Sequence, residues 1–453
     1  MQHEMKSSER YLIVVVAFLG WAFAGVHMSI NGIVMRVATA DLLPANTPEG
    51  EIGQWFGWLT CAFLLGAATG GYLFGYVGDR FGRAKAMAAS ILCYSIFSAI
   101  TYFVQSPTQL LILRFLTCLG IGGMWPNGIA LLSEAWGNVS RPILAGIMGT
   151  AANVGILVFA LVTVLRFEVT GEDWRWTFLV GASPVVLGIL SLLLVPESPK
   201  WLALKNAPDG ASGEPEPASI GEIFRPPILK MTLIGIMLGA IPLFGGWGVS
   251  NWATAWASEV GDVAKADDTA EADSAPKRKP DPVLKSMTVV ARSLPGSITS
   301  LLGGFIAFWL GRKRTYFILC IGALVCTQFL FRVENPVDST VLFTISMFGR
   351  DLNITEFLGW TAGLGFFSGA FFGWLPLCLP EMFPTRVRST GAGVSFNWGR
   401  ILTAIGILLS AVALKEVFAG RYAQVGQITG FVYAVGLVVI LLVPDTSGNE
   451  LED

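Results

Sequence analysis

Charge is what this chain has least of. Only 14% of its 453 residues are Asp, Glu, Lys or Arg, against roughly 25% in soluble domains. The net charge is −2, which leaves no basic surface of the kind nucleic-acid binding needs. Histidine is nearly absent, with only His3 and His27. No nucleotide loop and no metal-ligand cluster occurs, so neither a cofactor, nor a metal site, nor an enzyme is expected. The six cysteines (Cys61, Cys93, Cys118, Cys320, Cys326, Cys378) all fall inside apolar stretches, which argues against a disulfide framework.

Apolar sequence takes the place of charge. The chain is 53% hydrophobic, with a mean hydropathy of +0.62. A helix crosses a bilayer with ~20 apolar residues, and twelve stretches meet or approach that length: 11–36, 54–77, 86–105, 110–136, 143–165, 176–195, 228–258, 285–310, 315–332, 357–380, 390–414 and 424–443. The first follows MQHEMKSSER without a small-residue cleavage site, which predicts a retained helix rather than a signal peptide. The expected fold is therefore all-α and multi-pass, in a plasma (bacterial inner) membrane. Over the short loops Lys and Arg concentrate on the side of the termini, which predicts that both ends face the cytoplasm. A monomer in the bilayer is expected.

The chain repeats itself. Gly75, Gly82 and Arg83 recur 229 positions on as Gly304, Gly311 and Arg312. Glu134, Arg141 and Gly146 recur 247 positions on as Glu381, Arg388 and Gly393. Two six-helix units follow, 1–203 and 228–453, joined by a cytoplasmic linker over 204–227. The change of offset places an insertion near 333–356. The Pro-, Gly-, Ser- and Glu-rich linker and the polar loop 259–284 read as solvated spacers. Parallel repeats with a site between them at mid-membrane are a transporter architecture.

The run Gly75 to Lys85, GYVGDRFGRAK, gathers rare charge at one turn. Gly75 and Gly78 would admit close helix approach, and Gly82 a sharp reversal. Asp79 could accept from backbone N–H groups of the next helix and pair with Arg80 or Arg83. This spacing resembles the signature between helices 2 and 3 of the major facilitator superfamily. In the second unit Phe308 and Trp309 replace Asp79 and Arg80. Pro196-Glu197-Ser198-Pro199-Lys200-Trp201 resembles the element ending helix 6 of sugar porters and their organic-ion relatives, and the tail PDTSGNELED its counterpart after helix 12. By that resemblance Glu134, Arg141, Glu197, Glu381 and Arg388 form a cytoplasmic charge cluster whose ion pairs close the inner gate.

No acidic residue lies deep in any predicted span, whereas Arg114, Arg292 and Arg400 do. A mid-bilayer arginine costs roughly 2.5–3.5 kcal/mol on insertion scales and is normally paired or functional. Arg292 and Arg114 are shallow enough to snorkel. Arg400 stands ten residues into its span, ~15 Å deep, half of the ~30 Å core. An anionic substrate would supply the missing charge. The run TGAGVSFNWGR, with Asn397 one turn before Arg400, resembles helix 11 of organic-anion and sialic-acid-type carriers, which hold an arginine there. Proton-coupled sugar porters resemble the region of His27 but place an aspartate at that position, so the carboxylate that would carry the proton is missing. Helix 4 offers Trp125 and Asn127, helix 7 offers Trp247 and Asn251, and helix 10 offers Trp374 as cavity-lining candidates. Helix 7 lacks the glutamine pair of hexose porters.

Three functions remain open at this stage. One is a carrier of a small organic anion, such as a sialic acid or another carboxylate, with a proton or sodium ion as a possible coupling partner. The second is a neutral-sugar facilitator or symporter in which Arg400 braces the bundle. The third is a receptor that binds solute without moving it.

Overall fold

The computed structural model describes residues 5–136, 141–165, 167–198, 201–202, 220–266, 283–347, 350–384 and 387–443; for 141–147, 220, 259–266, 347, 350 and 388–390 it describes the backbone. Twelve helices in it are long and apolar enough to cross a membrane. They are α1 (Ser7–Ile33), α2 (Glu49–Phe81), α3 (Arg83–Thr101), α4 (Pro107–Ala135), α5 (Arg141–Leu165), α6 (Trp176–Leu194), α7 (Leu229–Ser258), α8 (Leu284–Leu310), α9 (Arg312–Leu330), α10 (Glu356–Glu381), α11 (Arg388–Glu416) and α12 (Tyr422–Leu442). The termini of these helices follow ordinary rules. Ser106 caps α4 through Gln109, with Pro107 at the first position, and Thr355 caps α10 through Leu358. Twelve crossings bring Ser7 and Leu442 to one face, here called the terminal face. The opposite one is the distal face.

Helix pairing repeats with the sequence. A Cβ at Gly70 or Gly122 would strike the backbone of Leu119 or Ala67, so α2 and α4 touch main chain to main chain. In the second unit Gly303 and Gly373 bring α8 and α10 together in the same way. Gly25 and Gly155 join α1 to α5, and Gly239 and Gly399 join α7 to α11. Small residues let helices pack closely where lipid gives no hydrophobic drive. Between the units α2 packs on α11 and α5 on α8, positions that the repeat exchanges.

The turn after α2 and the turn after α8 share one backbone feature. Gly82 has φ 116° and Gly311 φ 91°, a region that costs L-residues steric energy. Gly82→Ala would also press its Cβ onto the Glu197 carboxylate. We expect it to lower stability by about 1–3 kcal/mol, read as thermal melting of the purified protein. Gly75→Ala, whose Cβ meets nothing within 4 Å, should change it by no more than about 0.5 kcal/mol.

Several elements differ from the sequence expectation. Gly75 faces open space and does not bring helices together here; Gly78 does so, against the Asn127 amide. A short helix, Met35–Leu42, continues α1 beyond its predicted end. The helix beginning at Ser250 runs to Ala266 and takes in the first residues of the expected spacer; residues 267–282 lie outside the described residues, as does most of the 204–227 linker. The 333–356 insertion holds an antiparallel hairpin, Val341–Met347 with Arg350–Thr355, in an otherwise helical chain. Its β-branched and aromatic residues, Val341, Phe343, Thr344, Ile345 and Ile354, favour strand.

Candidate functional site

Arg400 lies on α11 with its guanidinium over the Phe396 ring, 4.9 Å from the centroid. It is half-buried, and no hydrogen bond or ion pair holds it among the described residues. Asn397, one turn earlier, points its side chain toward Gly71 of α2: its Oδ1 stands 3.9 Å from where a Cβ there would be. An open cation and an open amide thus look across from one half of the bundle toward the other.

The other two deep arginines turn inward and do not snorkel. Arg292 donates from Nη1 to the Gly246 carbonyl at 3.2 Å. That carbonyl belongs to a π-helical turn, Gly245–Val249, which interrupts α7 just after Pro242, where proline has removed a ladder bond. Arg114 is only 2% exposed. Its Nη2 donates to the His27 carbonyl at 2.9 Å and to Asn31 Oδ1 at 3.3 Å, and the guanidinium lies 5.3 Å from the Phe63 ring centre. Its Nε and Nη1 are buried and unpartnered. His27 shares Nε2 with the Gly181 carbonyl at 3.1 Å, while its Nδ1 is buried without a partner. Asn31 donates to Thr60 at 3.1 Å, so one polar chain ties α1, α2, α4 and α6. Asn31 and Thr60 were not singled out from sequence, since uncharged polar residues stand in every apolar run.

The remaining candidates divide. Trp247 packs on Phe63 across the two halves at 4.4 Å, and Trp125 packs on Trp21 at 5.1 Å. Asn251 is buried and donates to the Trp247 carbonyl. Asn127 donates to the carbonyls of Phe74 and Gly123, bracing α4 on α2. Trp374 stands apart from Arg400, with its indole N–H on the Arg312 carbonyl at 2.9 Å at the terminal face.

Two ion pairs of the terminal face, at equivalent repeat positions, join residues of the same half. Arg83 meets Asp79 and, at 3.6 Å, Glu134. Arg312 grips Glu381 at 3.0 and 3.2 Å, the repeat of Arg83 and Glu134. Glu197, and not Asp79 as expected, accepts the backbone N–H of Ala84 at 3.0 Å. Arg80 donates to Tyr76. The side chains of Arg141 and Arg388 lie outside the described residues. Asp79 is 70% exposed and far from Arg400. Asp79→Asn should therefore leave substrate Kd within about twofold while slowing turnover several-fold; a tenfold loss of affinity at intact turnover would contradict that placement.

Contacts between the halves gather at the distal end. Arg36 holds Glu49 through two bonds of 2.9 and 2.6 Å and reaches Ser258 at 3.2 Å; Tyr422 donates to Glu49 at 2.7 Å. Lys415 meets Gln54 and Thr163 meets Ser286 at the same end, while Cys61 donates to the Ala404 carbonyl at mid-helix. No comparable bond or ion pair joins the halves at the terminal face among the described residues. Among the described residues, the polar bonds between the halves therefore lie on the distal side and at mid-helix.

Sequence comparison adds the decisive observation: the model of the Major Facilitator Superfamily matches residues 10–407. The chain belongs to that superfamily. It is an integral multi-pass membrane protein that transports small organic substrates, not an enzyme. A cis,cis-muconate transport protein of Acinetobacter baylyi is 27% identical over 86% of this chain and 84% of its own. A sialic acid transporter of Escherichia coli is 23% identical over 94% and 92%. Among solved structures, the inward open xylose transporter of E. coli superposes with a TM-score of 0.67 at 19% identity, covering 98% of each chain. That last likeness concerns the fold.

Proposed function

We propose that this transporter moves a small organic anion by alternating access, with the substrate carboxylate held by Arg400 and assisted by Asn397. The observation that carries this reading is Arg400 itself. Arg114 and Arg292 each donate to carbonyls, whereas Arg400 has only an aromatic ring beside it. A guanidinium at that depth without an acceptor is costly, and a carboxylate would satisfy it through two parallel bonds. Muconate and sialic acid, named for two relatives, are both carboxylates. The units 1–203 and 228–453 rock about this midplane site, and the terminal face is cytoplasmic. The latch at Arg36, Glu49 and Tyr422 then lies on the outer side.

The test is uptake into proteoliposomes against a panel of labelled carboxylates and neutral sugars. Carboxylates should enter and compete with one another, and neutral sugars should not. Uptake inhibited by neutral sugars and indifferent to acids would overturn the reading. Imposed proton or sodium gradients in the same vesicles identify the coupling ion.

A further inference from the structure

The N-terminal half holds a second cation whose hydrogen bonds are incomplete. Arg114 is buried, and two of its nitrogens, Nε and Nη1, have no acceptor. Next to it the His27 ring keeps Nδ1 unpartnered in the same interior. No Asp or Glu among the described residues is paired with this guanidinium; its contacts are a main-chain carbonyl, an amide oxygen and the Phe63 ring. Buried donors of this kind are normally satisfied, and a charged one left open costs more than a neutral one.

Helix α2 serves as a ruler between this group and the site at Arg400. Phe63 lies beneath the Arg114 guanidinium, and Gly71 faces Asn397. Those eight residues span ~12 Å at 1.5 Å each, and Arg400 sits one turn of α11 closer. The two residues therefore stand at levels about 7–8 Å apart along the bundle. The Phe63–Trp247 pair, one ring from each half, meets at the level of Arg114.

We infer that Arg114 is a second anion-binding group, so that the preferred substrate carries two acidic groups, one for each half of the carrier. This rests on the reading of Arg400 as an anion site. Such a substrate would tie the halves together across the midplane, and its second carboxylate would complete the Arg114 bonds.

The experiment compares straight-chain dicarboxylates of four to eight carbons with monocarboxylates of equal length, as competitors of uptake in proteoliposomes. The wild-type carrier should prefer the best dicarboxylate by tenfold or more. Arg114→Gln should abolish that margin while leaving monocarboxylate affinity within about threefold, and Arg114→Lys should keep part of it. Arg400→Gln should weaken both series. A dicarboxylate margin that survives Arg114→Gln, or no margin in the wild type, overturns the inference and leaves Arg400 standing. Chloride replacement that shifts monocarboxylate affinity through Arg114 would also overturn it, by assigning the group to an inorganic ion. Loss of all carboxylate dependence on Arg400 would instead remove the underlying reading. If Arg114→Gln melts early, the Lys variant alone decides by its ratio of the two affinities.

Discussion

Arg400→Ala is expected to abolish measurable uptake and to weaken substrate binding at least about 30-fold. Truncating one partner of a desolvated charge pair costs roughly 2–5 kcal/mol, and each 1.4 kcal/mol is a factor of about ten. The variant should fold, because Arg400 forms no hydrogen bond that the bundle would lose, and removal of the charge relieves an insertion cost. Arg400→Lys keeps the charge and loses the planar fork, so affinity should fall by about tenfold and no further. Asn397→Ala removes a neutral donor and should cost about threefold to fivefold, in line with about 1 kcal/mol for one hydrogen bond. Binding by the purified protein and thermal melting, measured together, separate this from a bracing role. A brace would lower the melting temperature of the Ala variant along with its uptake. A well-folded Arg400→Ala that binds the anion normally would end the proposal.

Much of this is legible in the amino-acid sequence itself. The 229-residue offset between Gly82 and Gly311 foretold two turns of one kind, and both glycines take positive φ. Arg400 was conspicuous because apolar sequence exposes a lone charge. The distal latch was not legible. Arg36 closed a predicted span and Glu49 lay just before the next, so each looked like an ordinary surface residue. Their pairing depends on the helix Met35–Leu42 and on α2 starting at Glu49, where the span was expected from 54. The inward turn of Arg292 was hidden for another reason. Its acceptor, Gly246, is a carbonyl freed by a π-helical turn, and sequence periodicity does not register a main-chain acceptor. The hairpin at 341–355 was seen only as extra length, since a short strand pair carries little signal beside twelve helices.

The arrangement of polar bonds suggests how the halves move. At the terminal face the charge pairs Arg83–Glu134 and Arg312–Glu381 lie inside their own halves, at equivalent repeat positions. They stiffen each half as a body. The bonds that cross between halves run from the distal end, at Arg36–Ser258, Glu49–Tyr422, Gln54–Lys415 and Thr163–Ser286, to Cys61–Ala404 at mid-helix. Rocking toward the opposite state must break that crossing set, and the within-half pairs can persist.

Glu49 is the member of the crossing set with most to lose. Its carboxylate accepts two bonds from Arg36, which is only 1% exposed, and one from the Tyr422 hydroxyl of the other half. Removing one partner of a buried ion pair is destabilising by about 3–5 kcal/mol. Because Glu49 is 24% exposed, solvent screening reduces this to about 1–3 kcal/mol. Glu49→Ala should therefore shift the equilibrium away from the distally sealed state by about tenfold to a hundredfold. A single cysteine at Asn251, buried beneath the seal, reports the change. In an otherwise cysteine-free carrier it should react with an impermeant thiol reagent added from the distal side, quickly with Glu49→Ala and slowly without it. Pairing the change with Arg36→Met should restore slow labelling, since replacing an ion pair by apolar groups of similar size is often neutral. Tyr422→Phe deletes the hydroxyl's bond to Glu49 and should give a smaller rise, of about threefold to tenfold. Equal labelling of Glu49→Ala and the parent, at matched melting temperatures, would show that the seal is held by packing of α2 on α11 and not by this latch.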